Sequence, residues 1–431
     1  MHRNRYNISI KDIIALIMAF LIILNHSVYY HMTDYPYVRN AIQLCWGLTI
    51  LGWLFSTKLN KTDIKTVWKY LSIYNLLNMV YAFSKIDNLS ANYIIRYVYA
   101  VPAMVYILYV EGRKNNNYLV IKYISEIMSI GCVISVVFWI LGSQLNIIAP
   151  TRFIDTDWGG AISGTQTGVY SYFGIYFQSH STIGSISKYI HYRNSGIFCE
   201  GPAFATFICL SLLYEFFLRE KFRCCRIIVN LVALITTLST TGFVFMLIVI
   251  LIKWYYNPQI KKQSRHLIFY AALIFTFVII ACVIDNKAGG SIMNRKLDFE
   301  RGMSAFFSSP LFGYGYNVDF YDVFHAGFSN AVTPILMRGG IVFFIIVTYP
   351  FIKLLLIELK KNKPSKIEIF DIAMSITIIF LLIVHIIAES FMLLFFLSLT
   401  LSRIITLRGY TSVIAKNLKS INKNTNINIL L

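Results

Sequence analysis

Residues 192 to 205, YRNSGIFCEGPAFA, place Arg193 and Glu200 on either side of a glycine-containing turn at the head of an apolar run. An arginine offers a planar fork of donors that fits phosphate oxygens, and a carboxylate near it can take a proton from a hydroxyl. The plainer alternative is a headgroup anchor and a helix cap, because Gly201 and Pro202 suit a helix N-terminus, where carboxylates are favoured. A second group lies in NRKLDFERGMSAFFSSPLFGYGYNVDFYDVFHAGFSN, residues 294 to 330. There Arg295, Lys296 and Arg301 form a basic cluster suited to an anion, with Asp298 and Glu300 as competing partners in the same stretch. His325 follows the GYG turn and is a candidate general base, with an unperturbed pKa of about 6.5. Asp319 and Asp322 are competing bases. Arg338 lies about eight residues into the next apolar run, a depth at which arginine is costly unless it faces protein or a wet cavity.

The elements that must position these groups are set by composition. With 57% hydrophobic and 14% charged residues, the 431-residue chain carries more apolar surface than a soluble core can bury. Many of its apolar runs reach the roughly 20 residues needed to cross a bilayer. The net charge of +19 does not make a nucleic-acid binder, because the basic residues sit in short clusters between apolar runs and form no continuous stripe. Their placement fits retention of Lys and Arg in cytoplasmic loops. The seven cysteines are odd in number and lack paired spacing, so no disulfide framework or zinc site is suggested; no cofactor is expected. HRNR before the first apolar run, with no small-residue cleavage site after it, predicts a retained first helix.

Apolar runs against charged breaks predict helices near 12–30, 38–56, 66–83, 93–110, 119–143, 200–217, 226–238, 240–254, 267–284, 330–355, 367–386 and 389–404. The pair between 226 and 254 has no charged break, and one long tilted helix there would reduce the count to eleven. Basic-residue placement favours twelve. The fold class is therefore an all-α polytopic membrane protein of about 12 transmembrane helices, with both termini cytoplasmic and two large external loops. The chain forms a single transmembrane domain, 1–431, with external loops at 147–199 and 285–329 and a basic cytoplasmic tail at 405–431. Loops of that length are usually functional. The first, with TGVYSYFGIYF, is expected to lie partly in the membrane interface as an aromatic amphipathic segment. The second is expected to form a short helix over ERGMSAFFSS before its glycine turn. The intramembrane polar residues Asn25, His26, Asn75, Asn78, Arg96, Glu126, Asn230, His385 and Glu389 are read mostly as interhelical hydrogen-bonding groups.

Four stretches taken together, YRNSGIFCEGPAFA at 192, LSTTGFVFMLIVIL at 238, SSPLFGYGYN at 308 and FSNAVTPILMRGGIVFF at 328, resemble the O-antigen polymerase and ligase superfamily of bacterial membrane glycosyltransferases. They keep the family's order over roughly the second half of the chain. In that family an Arg, a Gly-aromatic pair and a Glu-Pro-Ser open the helix after the large external loop. Here Arg193, Gly196, Phe198 and Glu200 match, Gly201 intervenes before Pro202, and Ala203 replaces the Ser. The family's arginine before the proline-glycine turn maps to Arg301 or Arg295, and its His or Asn before the next helix maps to His325 or Asn330.

The resemblance implies polymerisation of undecaprenyl-diphosphate-linked oligosaccharide repeats into O-antigen, or a related surface polysaccharide, at the outer leaflet of the bacterial inner membrane. It implies diphosphate binding by Arg193 and Arg301 with Arg338 and Arg295 in support, and proton removal from the acceptor hydroxyl by His325 or Glu200. It implies no metal and no nucleotide, with the lipid-linked oligosaccharide, membrane lipid, a chain-length regulator and a flippase as partners. An O-antigen ligase, which transfers glycan to lipid A core, differs in acceptor rather than architecture. HAGFSN separates the His and Asn that ligases present closer together, which favours the polymerase. A lipid-linked sugar flippase or transporter shares the span count, with Glu126, His385 or Glu389 as a proton relay, but usually has short external loops.

Overall fold

The computed structural model describes residues 9–114, 118–157, 167–181, 190–221, 223–257, 259, 289–318, 329–361, 363–388 and 390–425. The chain is mostly helical. Its helices are α1 (Ile10–Leu24), the short α2 (Val28–His31), α3 (Pro36–Ser56), α4 (Lys61–Ser84), α5 (Ala91–Gly112), α6 (Leu119–Gln144), α7 (Gly201–Leu218), α8 (Cys224–Thr236), α9 (Thr240–Tyr255), α10 (Gly289–Ser308), α11 (Val332–Leu359), α12 (Lys366–Val384) and α13 (Phe391–Thr425). Each expected helix appears, that at 12–30 broken at 25–27 into α1 and α2, except that at 267–284, which lies outside the described residues, as do His325, Asp319, Asp322 and Glu389. The chain between α8 and α9 breaks at Leu238, whose φ is +48°, so 226–254 is two helices and not one.

Among the described residues, six segments are long and apolar enough to cross a membrane: α5, α6, α7, α11, α12 and residues Phe391–Arg408 of α13. The others fall short in length or hydropathy, as α8 and α9 do at 13 and 16 residues. The exposed faces of α3 and α4 are also apolar, carrying Leu44, Leu48, Leu51 and Phe55 on one and Ile73, Leu76, Met79 and Phe83 on the other. Such a surface suits lipid rather than water.

Start signals in the sequence act locally. Ser9 and Asp12 close a capping box on α1, Ser365 and Glu368 do the same on α12, and Pro36 and Pro202 stand in the first turns of α3 and α7. Each satisfies or removes backbone donors that a helix start leaves unpaired. Inside the bundle α13 packs along α5, α11 along α12, and α1 and α7 against α6.

Among the described residues between α6 and α7, the chain forms a four-stranded antiparallel sheet in sequence order, β1 (Arg152–Thr156), β2 (Thr167–Tyr172), β3 (Tyr176–Ser181) and β4 (Tyr192–Asn194). The all-α class therefore needs correction here, and TGVYSYFGIYF is the hairpin of β2 and β3. Its residues alternate, with Val169 and Ser171 buried and Tyr170 exposed between them, as a half-buried strand requires. Phe173 and Gly174 make the turn at φ +55° and +71°. A small core of Val28, Met32, Ile154, Val169, Phe177 and Cys199 fixes the sheet to α2 and to the turn before α7.

In α11 the helical backbone breaks at Gly340, with φ +57° and ψ −157°. The break leaves orphan carbonyls and amides, and SSPLFGYGYN supplies their partners. Tyr314 N–H donates to the Met337 carbonyl at 2.8 Å and Gly315 N–H to that of Arg338 at 2.9 Å, while Ile341 N–H donates to Pro310 at 2.8 Å. The expected helix before this turn is α10, and it is 20 residues long.

Candidate functional site

Arg193 lies on β4, and Glu200 is the residue before α7. The turn between them is held at nearly every residue. Asn194 is fully buried; its Oδ1 accepts from Gly196 N–H at 3.1 Å and its Nδ2 donates to Thr236 Oγ1 at 2.9 Å. Ser195 Oγ donates to the Phe177 carbonyl at 2.7 Å, and Val28 N–H donates to the Ile197 carbonyl at 3.0 Å. Gly196 sits at φ +57° with its Cα 's missing side chain replaced by the Phe204 ring, which a Cβ there would meet at 3.2 Å. Gly201 also has a local reason: a Cβ there would lie 2.8 Å from the Thr237 carbonyl oxygen.

Within this rigid turn the two charged groups are placed differently from a plain anchor and cap. The Arg193 Nε is buried and has no hydrogen-bond partner, so a donor is held ready where leaving it unmade is unfavourable. Glu200 occupies the N-cap position with extended backbone, yet its carboxylate does not cap the helix amides. Cys199 between them is fully buried. Burial, with the Glu200 and Asp157 carboxylates adding, pushes its thiol well above the ordinary range, so it is a neutral packing group and not a nucleophile.

Directly against this turn is an apolar cavity of about 930 Å³, near the top of the roughly 300–1,000 Å³ range for small-molecule sites. Leu16, Phe20 and Leu24 of α1, Val38, Ala41 and Cys45 of α3, and Ile127, Gly131 and Ile134 of α6 form its walls, and Gly196, Ile197, Phe198 and Phe204 form its head. It therefore runs along three helices and ends at residues 196–198, the part of the loop between Arg193 and Glu200, neither of which lines it.

A second group gathers around Arg338. The Gly340 break puts its guanidinium 5.4 Å from the centroid of the Tyr316 ring, and its carbonyl accepts from Tyr81 Oη at 2.9 Å. Tyr81, Tyr93, Tyr97 and Phe343 complete an aromatic cluster with Tyr316. Arg96, buried on a π-helical turn of α5, lies within electrostatic reach of Arg338, Tyr316 and Tyr30. Arg301 is exposed on α10, next to Gly302, where a Cβ would press on Thr333 and the Met337 sulfur. Arg295 is also on α10. Asn330, buried, accepts from Thr333 N–H at 2.9 Å and so starts α11.

The structure thus joins Arg193 with Glu200 in one turn and packs α10 at Gly302, beside Arg301, against α11 at Thr333 and Met337, beside Arg338. Helix α2 relates to both groups, its Val28 N–H donating to the Ile197 carbonyl and its Tyr30 lying within electrostatic reach of Arg96. Arg96, expected as an interhelical group, is also a neighbour of Arg338; the signal for it in the sequence is an arginine inside an otherwise apolar span. The interhelical reading holds for Asn25, Asn78, Glu126 and Asn230, which bond respectively to Phe391 N–H, Tyr93 Oη, two arginines and Ser211. Among the described residues no group of three or more His, Cys, Asp and Glu could hold a metal ion. A scan against protein-family models and a search of curated proteins give no match.

Proposed function

We propose that this chain is a membrane glycosyltransferase of the O-antigen polymerase type, acting on oligosaccharide repeats carried by a polyprenyl diphosphate at the outer leaflet of the bacterial inner membrane. The observation that carries the reading is the long apolar cavity ending at a rigid turn with an arginine whose buried Nε has no partner. A lipid diphosphate has the matching shape, an apolar chain with a dianionic head. In the transfer, an acceptor sugar hydroxyl attacks the anomeric carbon of the donor. The bond from that carbon to the diphosphate oxygen breaks, and the leaving diphosphate takes the electron pair. Arg193, with Arg301, Arg338 and Arg295 in support, stabilises the charge that develops there. The hydroxyl proton passes to His325 or Glu200.

The test is purified chain in nanodiscs with lipid-linked repeat units, read as a ladder of glycan lengths. Wild type should extend the glycan without any ion gradient. Arg193→Ala should shorten the ladder by about a hundredfold in rate, the scale of losing one charge-stabilising donor, and Arg193→Lys should restore only part. Movement of the lipid-linked unit across the bilayer without bond formation would overturn the reading in favour of a flippase. In cells, deletion leaving a single repeat on core supports the polymerase, whereas glycan stranded on the lipid carrier supports the ligase.

A further inference from the structure

The last helix is longer than a bilayer needs. At 1.5 Å per residue the 35 residues of α13 extend about 52 Å, against a hydrocarbon core of about 30 Å. Its membrane-compatible part is Phe391–Arg408, so residues 409–425 continue as about 25 Å of helix past the apolar span. Their sequence, GYTSVIAKNLKSINKNT, is patterned. At 100° per residue, Tyr410, Val413, Ile414, Leu418 and Ile421 share an arc of about 140°, and Lys416, Lys419 and Lys423 share about 60° on the opposite face. No acidic residue follows Glu389 in the chain, whereas Arg403, Arg408 and the three lysines do. Gly409 stands at the junction, and glycine is the residue at which a helix bends most readily short of proline.

We propose that residues 409–425 form a membrane-surface helix that docks on anionic lipid, turning at Gly409 so that the apolar face enters the headgroup boundary and the lysines meet lipid phosphates. Charge selects this occupant. A basic amphipathic helix joined directly to a membrane span starts at the surface it would bind, and with three lysines and no acidic residue its charge complements lipid phosphates. Near an anionic surface each lysine favours docking about fivefold, so the three together give roughly a hundredfold. The proposal is independent of the transferase reading, because lipid docking and glycan extension are measured separately.

The experiment is hydrogen exchange on the full chain in nanodiscs loaded with one copy each, made either of phosphatidylcholine alone or with about a third phosphatidylglycerol. Amides of 409–425 should exchange at least about tenfold more slowly in the anionic discs, the scale set by the lysine charges. About 1 M salt, which shortens the Debye length to about 3 Å, should remove the difference. The triple change K416Q, K419Q and K423Q should abolish it, and I414S with L418S should do so while leaving the charge intact. Equal exchange in the two lipids would overturn the proposal. Protection that ignores lipid charge and appears only in discs loaded with two copies would overturn it in favour of self-association.

Discussion

At the scale of single residues, the buried carboxylates are where charge and stability meet. Asp371 is fully buried on α12, accepting from Arg403 Nε at 2.7 Å and Tyr118 Oη at 3.0 Å. Glu215, equally buried, is held by Arg219 Nε at 2.6 Å and Ser125 Oγ at 2.7 Å. A buried pair gains little over an apolar pair, but removing one partner strands the other. Arg403→Leu is therefore expected to cost about 3–5 kcal/mol, and the double change with Asp371→Leu to recover most of it. Melting temperatures in detergent check this; a double variant no more stable than the single one would show that the carboxylate is not the stranded group. The same scale shows what residue types alone convey. Arg193 and Glu200 were legible as a charged pair, since their spacing survives folding. The empty hydrogen-bonding position of Arg193 Nε was not, because it depends on what three other elements leave beside β4. Arg96 was illegible as a neighbour of Arg338 because Tyr316, which faces both, lies 220 positions further along the chain.

At the scale of elements, two local devices hold the candidate site. The first is the break in α11. A Cβ on Gly340 would lie 2.4 Å from the Leu311 carbonyl carbon, and Gly313 at φ +60° would meet the Met337 carbonyl oxygen at the same 2.4 Å. Gly340→Ala combines this collision with a left-handed backbone that costs a non-glycine residue about 1–2 kcal/mol. It should lower the melting temperature and loosen residues 310–315, read as faster amide exchange at Tyr314 and Gly315. Unchanged exchange there would mean that the ladder does not depend on the break.

The second device is Asp157, which follows β1 and accepts from His31 Nδ1 at 3.0 Å and from Arg39. Burial works to raise its carboxyl, but the hydrogen bonds and charges of His31 and Arg39 outweigh burial and hold it below the ordinary range. A carboxyl depressed in the folded state stabilises above its unfolded pKa of about 3.9 and loses that contribution as pH falls through the lower folded value. Proteolysis near residues 152–157 should therefore accelerate below about pH 4, and Asp157→Asn should show the faster rate at neutral pH with little further acid dependence. Retained protection in that variant would assign the strap to the Asp157 N–H bond on the His31 carbonyl, 2.9 Å long. Helix ends were legible here because caps are local in sequence. The sheet was not, since β1 gains its stability only from a strand more than ten residues away and aromatic residues mask the alternation of β2.

At the scale of the molecule, charge is divided between the two ends of the bundle. Pairs of basic residues with acids, Lys11 with Glu111, Arg113 with Asp63, Arg219 and Arg226 with Glu126, Lys361 with Glu358 and Glu368, and Arg403 with Asp371, tie helix ends to one another. The sheet, the α7 turn and the loop at 310–315 lie at the opposite helix ends: α3 begins beside Asp157 and runs to Lys58, whose carbonyl accepts from Tyr106 Oη at 3.2 Å, and α6 ends where Gln144 donates to the Tyr192 carbonyl at 2.8 Å. This segregation is what the sequence conveyed best, because apolar run length and cation placement are additive along the chain and need no tertiary contact. With the paired basic end inside, Leu59 and Phe173, both well exposed, must lie on opposite sides of the membrane. In a chain whose cysteines are replaced by serine, Phe173→Cys should react with an impermeant thiol reagent on intact cells lacking an outer barrier, and Leu59→Cys only after permeabilisation. The reverse pattern would invert the orientation and move the Arg193 turn to the cytoplasmic face, where an outer-leaflet donor has no access. Labelling of both on intact cells would instead break the alternation of helix ends on which the twelve-span expectation rests.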